Sequence, residues 1–158
     1  MSREIYEKAV ELMKQNNDKC HFVGARPESL IEIAENTLNL CFKGVYREFL
    51  KDFGAGNFGS QEIYGIIDSD FINSCVPDAI WYTITEREEI DIPNSLLVIY
   101  DTGMGELFCI DLNKVNQFGE PAIISYIPGV DKKMQKYELV ANDFGELLYE
   151  FVTEQLNI

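Results

Sequence analysis

The chain has 158 residues, 46% of them hydrophobic and 12% aromatic, which suits one domain with a sizeable core and excludes a disordered chain. Thirteen basic residues face 27 acidic ones, a net charge of −14, and so acidic a surface repels phosphate backbones and argues against nucleic acid as a partner. The imbalance is uneven: residues 1–53 carry 8 Lys and Arg against 9 Asp and Glu, whereas residues 54–158 carry 5 against 18. Such a surface draws in basic partners and speeds the encounter at low salt. Acidity also serves plain solubility, and charge alone leaves both readings open.

The first third reads as helical. Ile5, Ala9, Leu12 and Met13 recur at helical spacing, and Asn16-Asn-Asp18 ends that segment. A second helix is expected from Pro27, a good first helical position, with Glu28 in its first turn and a stripe of Leu30, Ile33, Ala34 and Leu38. A third carries Tyr46, Phe49, Leu50 and Phe53, with Gly54 placed to close it. Beyond Gly54 the pattern changes to strands: Ile63–Ile67, Leu96–Tyr100, Glu106–Asp111, Pro121–Tyr126 and a short Tyr137–Val140. Asp101-Thr-Gly-Met-Gly105 reads as the turn of a β-hairpin. Ala79–Glu89 fits either a helix or a looser segment. Phe144, Leu147, Leu148, Phe151 and Val152 mark a final helix, with Asn142 as its expected N-cap. No internal repeat or linker is visible, so one domain over 1–158 is expected. Its class is α+β, with N-terminal helices and a C-terminal helix packed on a mainly antiparallel sheet.

The motifs with catalytic echoes have simpler structural readings. Gly54-Ala-Gly-Asn-Phe-Gly59 matches G-x-G-x-x-G, but it follows a helix and precedes a strand, the reverse of a dinucleotide site. A helix cap followed by a mobile loop explains it. Asp101-Thr-Gly103 resembles the Asp-Thr-Gly of aspartic proteases, whose chemistry needs two carboxylates, and only one such motif is present. A hairpin turn in which Asp caps its own loop accounts for the same residues. His21 is the only histidine and is expected in the polar link between the first two helices, so a site built from several histidines is excluded. Glu86, Glu88, Glu89 and Asp91 read as a charged helix face, and Asp68, Asp70 and Asp78 lack calcium-loop spacing. No metal and no cofactor are expected.

Cys20, Cys41, Cys75 and Cys109 form no C-x-x-C pair and read as reduced thiols, mostly buried. The charged N-terminus, Met1-Ser-Arg-Glu-Ile-Tyr-Glu-Lys8, lacks the apolar run of a signal peptide, and no stretch approaches a membrane span. The expectation is a soluble cytoplasmic protein with no membrane partner.

Several segments together resemble a known family. Val45-Tyr-Arg-Glu-Phe-Leu-Lys-Asp-Phe-Gly-Ala-Gly56 is similar to the signature Y-k-x-F-L-x-x-x-G-G of the SUKH superfamily. Glu62-Ile-Tyr-Gly65, the Leu96–Tyr100 strand leading to a Gly-rich turn and Glu106, and the Asn142–Leu148 helix follow in matching order. Phe42-Lys-Gly44 departs from the Leu-Pro that members often carry there. The resemblance runs from about Pro27 to Phe151 and implies a non-enzymatic domain. Bacterial members look like immunity proteins that neutralise polymorphic toxins, often nucleases, by direct binding; others look like regulators. It therefore implies a protein partner, expected to be a basic toxin domain, with a regulatory scaffold or an aspartic-protease-like enzyme as alternatives. Asp68, Asp70, Asp101 and Glu106 are the expected acidic contacts, and Tyr64 and Trp81 the expected anchors, because they lie around predicted turns and sheet edges. The sequence does not indicate an oligomeric state.

Overall fold

The computed structural model describes residues 2–158. Helix α1 (Ser2–Gln15) opens the chain, followed by strand β1 (Cys20–Phe22), α2 (Glu28–Leu38) and α3 (Val45–Asp52). Strands β2 (Gly56–Phe58) and β3 (Gln61–Ile63) come next, then α4 (Ala79–Ile90) and the strands β4 (Leu96–Asp101), β5 (Leu107–Val115), β6 (Pro121–Tyr126) and β7 (Leu139–Ala141). Helix α5 (Phe144–Leu156) closes the fold. Two antiparallel sheets result, ordered β1-β2-β3 and β4-β5-β6-β7, so the expected α+β architecture holds with a second small sheet added.

The larger sheet is covered on both faces, which is why its strands read as nearly continuous apolar runs. Leu97, Ile99, Ile110 and Ile123 face a core shared with α1, α2, α3 and α5. Leu96, Val98, Leu107, Cys109 and Ile124 face the other way, where Tyr82 and Ile90 of α4 cover them. Helix α4 runs antiparallel to β4: Tyr82 meets Asp101, Thr83 accepts the amide of Val98 at 2.9 Å, and Arg87 reaches the Asn94 carbonyl. The ladder slips between Val98 and Tyr100, and the carbonyl of Ile99 accepts the amide of Tyr64 at 3.3 Å. That irregularity ties the end of β3 to the edge of β4.

Helix α5 buries the five apolar residues expected of it. Its N-cap is Asp143, not Asn142: the Asp143 carboxylate accepts the Glu146 amide at 2.9 Å, while the Asn142 amide group bonds the Glu146 carboxylate. Helix α2 begins at Glu28 with Pro27 as the flanking residue, and its buried line is Ile31, Ala34 and Leu38. Ile33 is 48% exposed and Leu30 half-buried, so the face lies one residue away from the expected stripe. In α1 the buried line is Tyr6, Ala9 and Met13, with Ile5 and Leu12 half-buried.

The Gly54–Gly59 segment is not a mobile loop. It holds β2, the central strand of the small sheet, with β1 on one side and β3 on the other. His21 lies in the connection between α1 and α2, as expected, on the short strand β1 opposite Asn57. Gly54 ends α3 at φ +76°, as expected, and its carbonyl accepts the Ile66 amide at 3.1 Å. A methyl group at Gly65 would collide with that same carbonyl oxygen, so two chain segments cross there at backbone contact. Cys41 and Cys75 are exposed, and only Cys109 is fully buried. No helix among the described residues is long and apolar enough to cross a membrane.

Candidate interaction surface

Beyond β3 the chain makes an Ω-shaped excursion over 66–77 before entering α4. Its neck is closed by backbone bonds, Gly65 N–H to Pro77 at 2.9 Å and Ala79 N–H to Gly65 at 2.8 Å. Arg26 anchors one flank by donating to the Ile67 carbonyl at 2.6 Å, and Phe71 is buried beneath the loop. Within it, Asp68 accepts the Asp70 amide at 2.8 Å. Asp70 in turn accepts the amides of Ile72 and Asn73 at 3.2 and 3.0 Å. Those amides hold the Asp70 carboxyl below the usual carboxylate range.

The return into α4 is made by Asp78, which is fully buried. One oxygen accepts Ile80 and Trp81 amides at 2.9 and 3.0 Å, and the other accepts the Ser74 hydroxyl at 2.8 Å. This single carboxylate caps the helix and ties the loop to it. Burial pushes its pKa up, although all three bonds pull the other way. With its backbone so constrained, the loop leaves Ile72 80% exposed and Val76 41% exposed.

Because α4 is antiparallel to β4, its N-terminus lies at the end of the sheet from which the β4–β5 hairpin projects. Trp81, half-buried, stands edge-on to Tyr82 with ring centres 6.0 Å apart. The Tyr82 hydroxyl donates to Asp101 at 2.6 Å, and the other Asp101 oxygen accepts the Gly103 amide at 2.8 Å. Burial, then the Asp101 carboxylate, raise the Tyr82 phenol well above its ordinary range. The hairpin tip is fixed further by Thr102, whose hydroxyl accepts the Met104 amide and donates to the Glu106 carbonyl. Met104 at that tip is 90% exposed. One turn along α4, burial and the charges of Glu89 and Asp101 hold the Glu86 carboxyl above the usual range. Among the described residues, Glu86, Glu89 and Asp101 form no ion pair with a cation.

Of the residues expected from sequence, Asp68, Asp70, Trp81 and Asp101 gather at this end. Tyr64 does not reach the surface: it is 2% exposed, with its ring against Tyr82 and Tyr100 at 5.7 and 6.1 Å, and it supports the site from below. Glu106 hangs on the opposite face of the hairpin. Asp101 is registered with Leu107 and shares its α4 side, so Glu106 one residue earlier points away and accepts the Ser125 hydroxyl at 2.5 Å. Asp101 therefore has the turn-capping role that hairpin chemistry predicts.

A family model described as SMI1-KNR4 cell-wall (SUKH_6) matches residues 28–148. The chain belongs to the SUKH superfamily. No curated protein matches it at a comparable level. The SUKH match covers α2 through the first turn of α5, and within it Gly54 and Gly65 of the signature segments are the two glycines whose backbones meet. The family's glycine pattern here thus serves chain crossing. Ile72 and Met104 lie outside the contacts expected from sequence, and so does Tyr82, adjacent to Trp81. The available signals were an isoleucine between Asp70 and Asn73, and a methionine flanked by two glycines.

Proposed function

We propose that the chain is an immunity-type protein of the cytoplasm that neutralises a basic protein toxin by binding it through the Ω-loop, the start of α4 and the β4–β5 hairpin tip. The observation that carries this reading is the pairing of two highly exposed apolar side chains, Ile72 and Met104, with Asp68, Asp70 and Asp101, which form no ion pair among the described residues. Apolar anchors supply affinity on desolvation, and surrounding unpaired carboxylates steer a cationic partner. Asp68, Asp70 and Asp101 give oxygens to turn amides, which fixes where their carboxylates stand at this surface. Trp81 adds a half-buried aromatic face beside them. Superfamily membership supports a binding domain with no catalytic set.

Co-expression with the toxin encoded beside this gene tests the reading. The expected result is rescued growth and a complex that survives size exclusion. Absence of both rejects it. The cell-wall wording of the family description favours, as a second reading, a regulatory scaffold for a cellular protein using the same surface. A gene with no toxin neighbour, whose product leaves co-expressed basic nuclease domains active, would select that reading.

A further inference from the structure

At the far end of β5, some 30 Å away by roughly 3.3 Å per residue, the surface is concave. A groove of about 640 Å³ runs between the β5–β6 hairpin and the N-terminus of α5. Its rim carries Phe118 and Leu139, each 55% exposed, and Val115 at 38%. Phe118 is not loosely placed: the Asn116 side chain accepts the Phe118 and Glu120 amides at 2.9 and 3.1 Å, and the Asn116 and Gly119 amides close the turn. A fixed turn therefore holds out an aromatic ring that nothing in the described chain covers.

The polar lining is lopsided, with Glu120, Asp143 and Glu146 against a single cation, Lys114. Glu120 is 7% exposed, and both its oxygens share one donor, the Val45 amide at 3.2 Å. A carboxylate has sites for about four donors, and among the described residues Val45 is the one that bonds it. The nearby Arg3 does not supply it, being held by Glu48 through bonds of 2.9 and 2.6 Å. Burial raises the Glu120 carboxyl above its ordinary range, and the Asp143 charge adds to this. The size of the groove suits one or two side chains of an incoming segment.

We infer that this groove binds a partner segment in which an apolar side chain adjoins a lysine or arginine, the first against Phe118 and Leu139 and the second at Glu120. Charge complementarity selects that occupant over an acidic or purely apolar one, because a cation arriving beside Glu120 completes a buried carboxylate that the fold leaves under-bonded. The inference is independent of what binds at the Ω-loop end.

The test is a titration of the ¹⁵N-labelled full chain with the peptide acetyl-Lys-Trp-Lys-amide, with acetyl-Glu-Trp-Glu-amide as control. Saturable amide shifts confined to residues 114–120 and 139–146, from the basic peptide alone, are expected, with affinity near roughly 1 mM for so small a ligand. Phe118→Ala should weaken binding about tenfold, and Glu120→Gln should abolish the preference for the basic peptide. Phe118 lies on the exposed rim, so its variant reports on binding even if Glu120→Gln loosens α3. Shifts that do not saturate, shifts centred on the Ω-loop end, or a Phe118→Ala variant that binds like the parent each overturn the inference.

Discussion

The two ends of the large sheet both carry acid in excess, but they use it differently. At the Ω-loop end, Asp68, Asp70, Asp78 and Asp101 give their oxygens to amides and hydroxyls of their own loops, and the loops so built push Ile72 and Met104 outward. At the groove end, Glu120 is buried with one shared donor, and the apolar residues line a hollow. Carboxylate count alone therefore does not distinguish a loop-building acid from one left open to a partner; bond partners do.

The largest effect is expected where the two sheets are joined beneath the Ω-loop. Gly65→Ala forces a side chain into the Gly54 carbonyl and should cost about 3 kcal/mol or more, read as a drop in denaturation midpoint. Asp78→Ala should follow at about 2–3 kcal/mol, because Ser74, Ile80 and Trp81 lose a buried acceptor together. If it costs no more than an exposed cap, the Ω-loop is not held as described. Tyr82→Phe, which removes one charge-assisted bond to Asp101, should cost about 1–2 kcal/mol.

At the groove end the informative variable is pH. The Glu120 carboxyl is raised in the folded state, so its contribution to stability is present below the unfolded pKa and is lost as pH rises through the folded value. Glu120→Gln keeps an acceptor for Val45 and should flatten the stability profile from the ordinary carboxylate range upward, with a gain at neutral pH. An unchanged profile would mean that Glu120 is better solvated than its burial implies. The smallest stability effects belong to Ile72→Asp and Met104→Asp, within about 0.5 kcal/mol of the parent, while binding of the proposed toxin partner should weaken at least tenfold.

How far the fold was legible in sequence depended on periodicity. Helix α5 and the β4–β5–β6 meander each carry a clean repeat over enough residues to be read. The small sheet was hidden because its strands are three residues long and one begins with Gly56, so glycine signalled a loop where it permits close strand packing. Helix α4 gave an ambiguous signal because it is apolar on more than one side: Ala79 and Ile80 enter the main core while Tyr82 and Ile90 cover the sheet's other face. At the site, acidic turn residues were readable through Asx-turn chemistry. The misplacement of Glu106 was a one-residue alternation that only the register settles. Tyr64 carried no sequence mark separating a buried ring from an exposed one.

Hydrogen exchange of the chain with and without the proposed toxin partner tests the central claim most directly. Protection on complex formation should fall on residues 66–82 and 101–106, and neutralising Asp68→Asn, Asp70→Asn and Asp101→Asn together, which keeps the turn acceptors, should slow association and flatten its salt dependence. Protection confined to 114–120 and 139–146, or an association rate indifferent to those three charges, would contradict it.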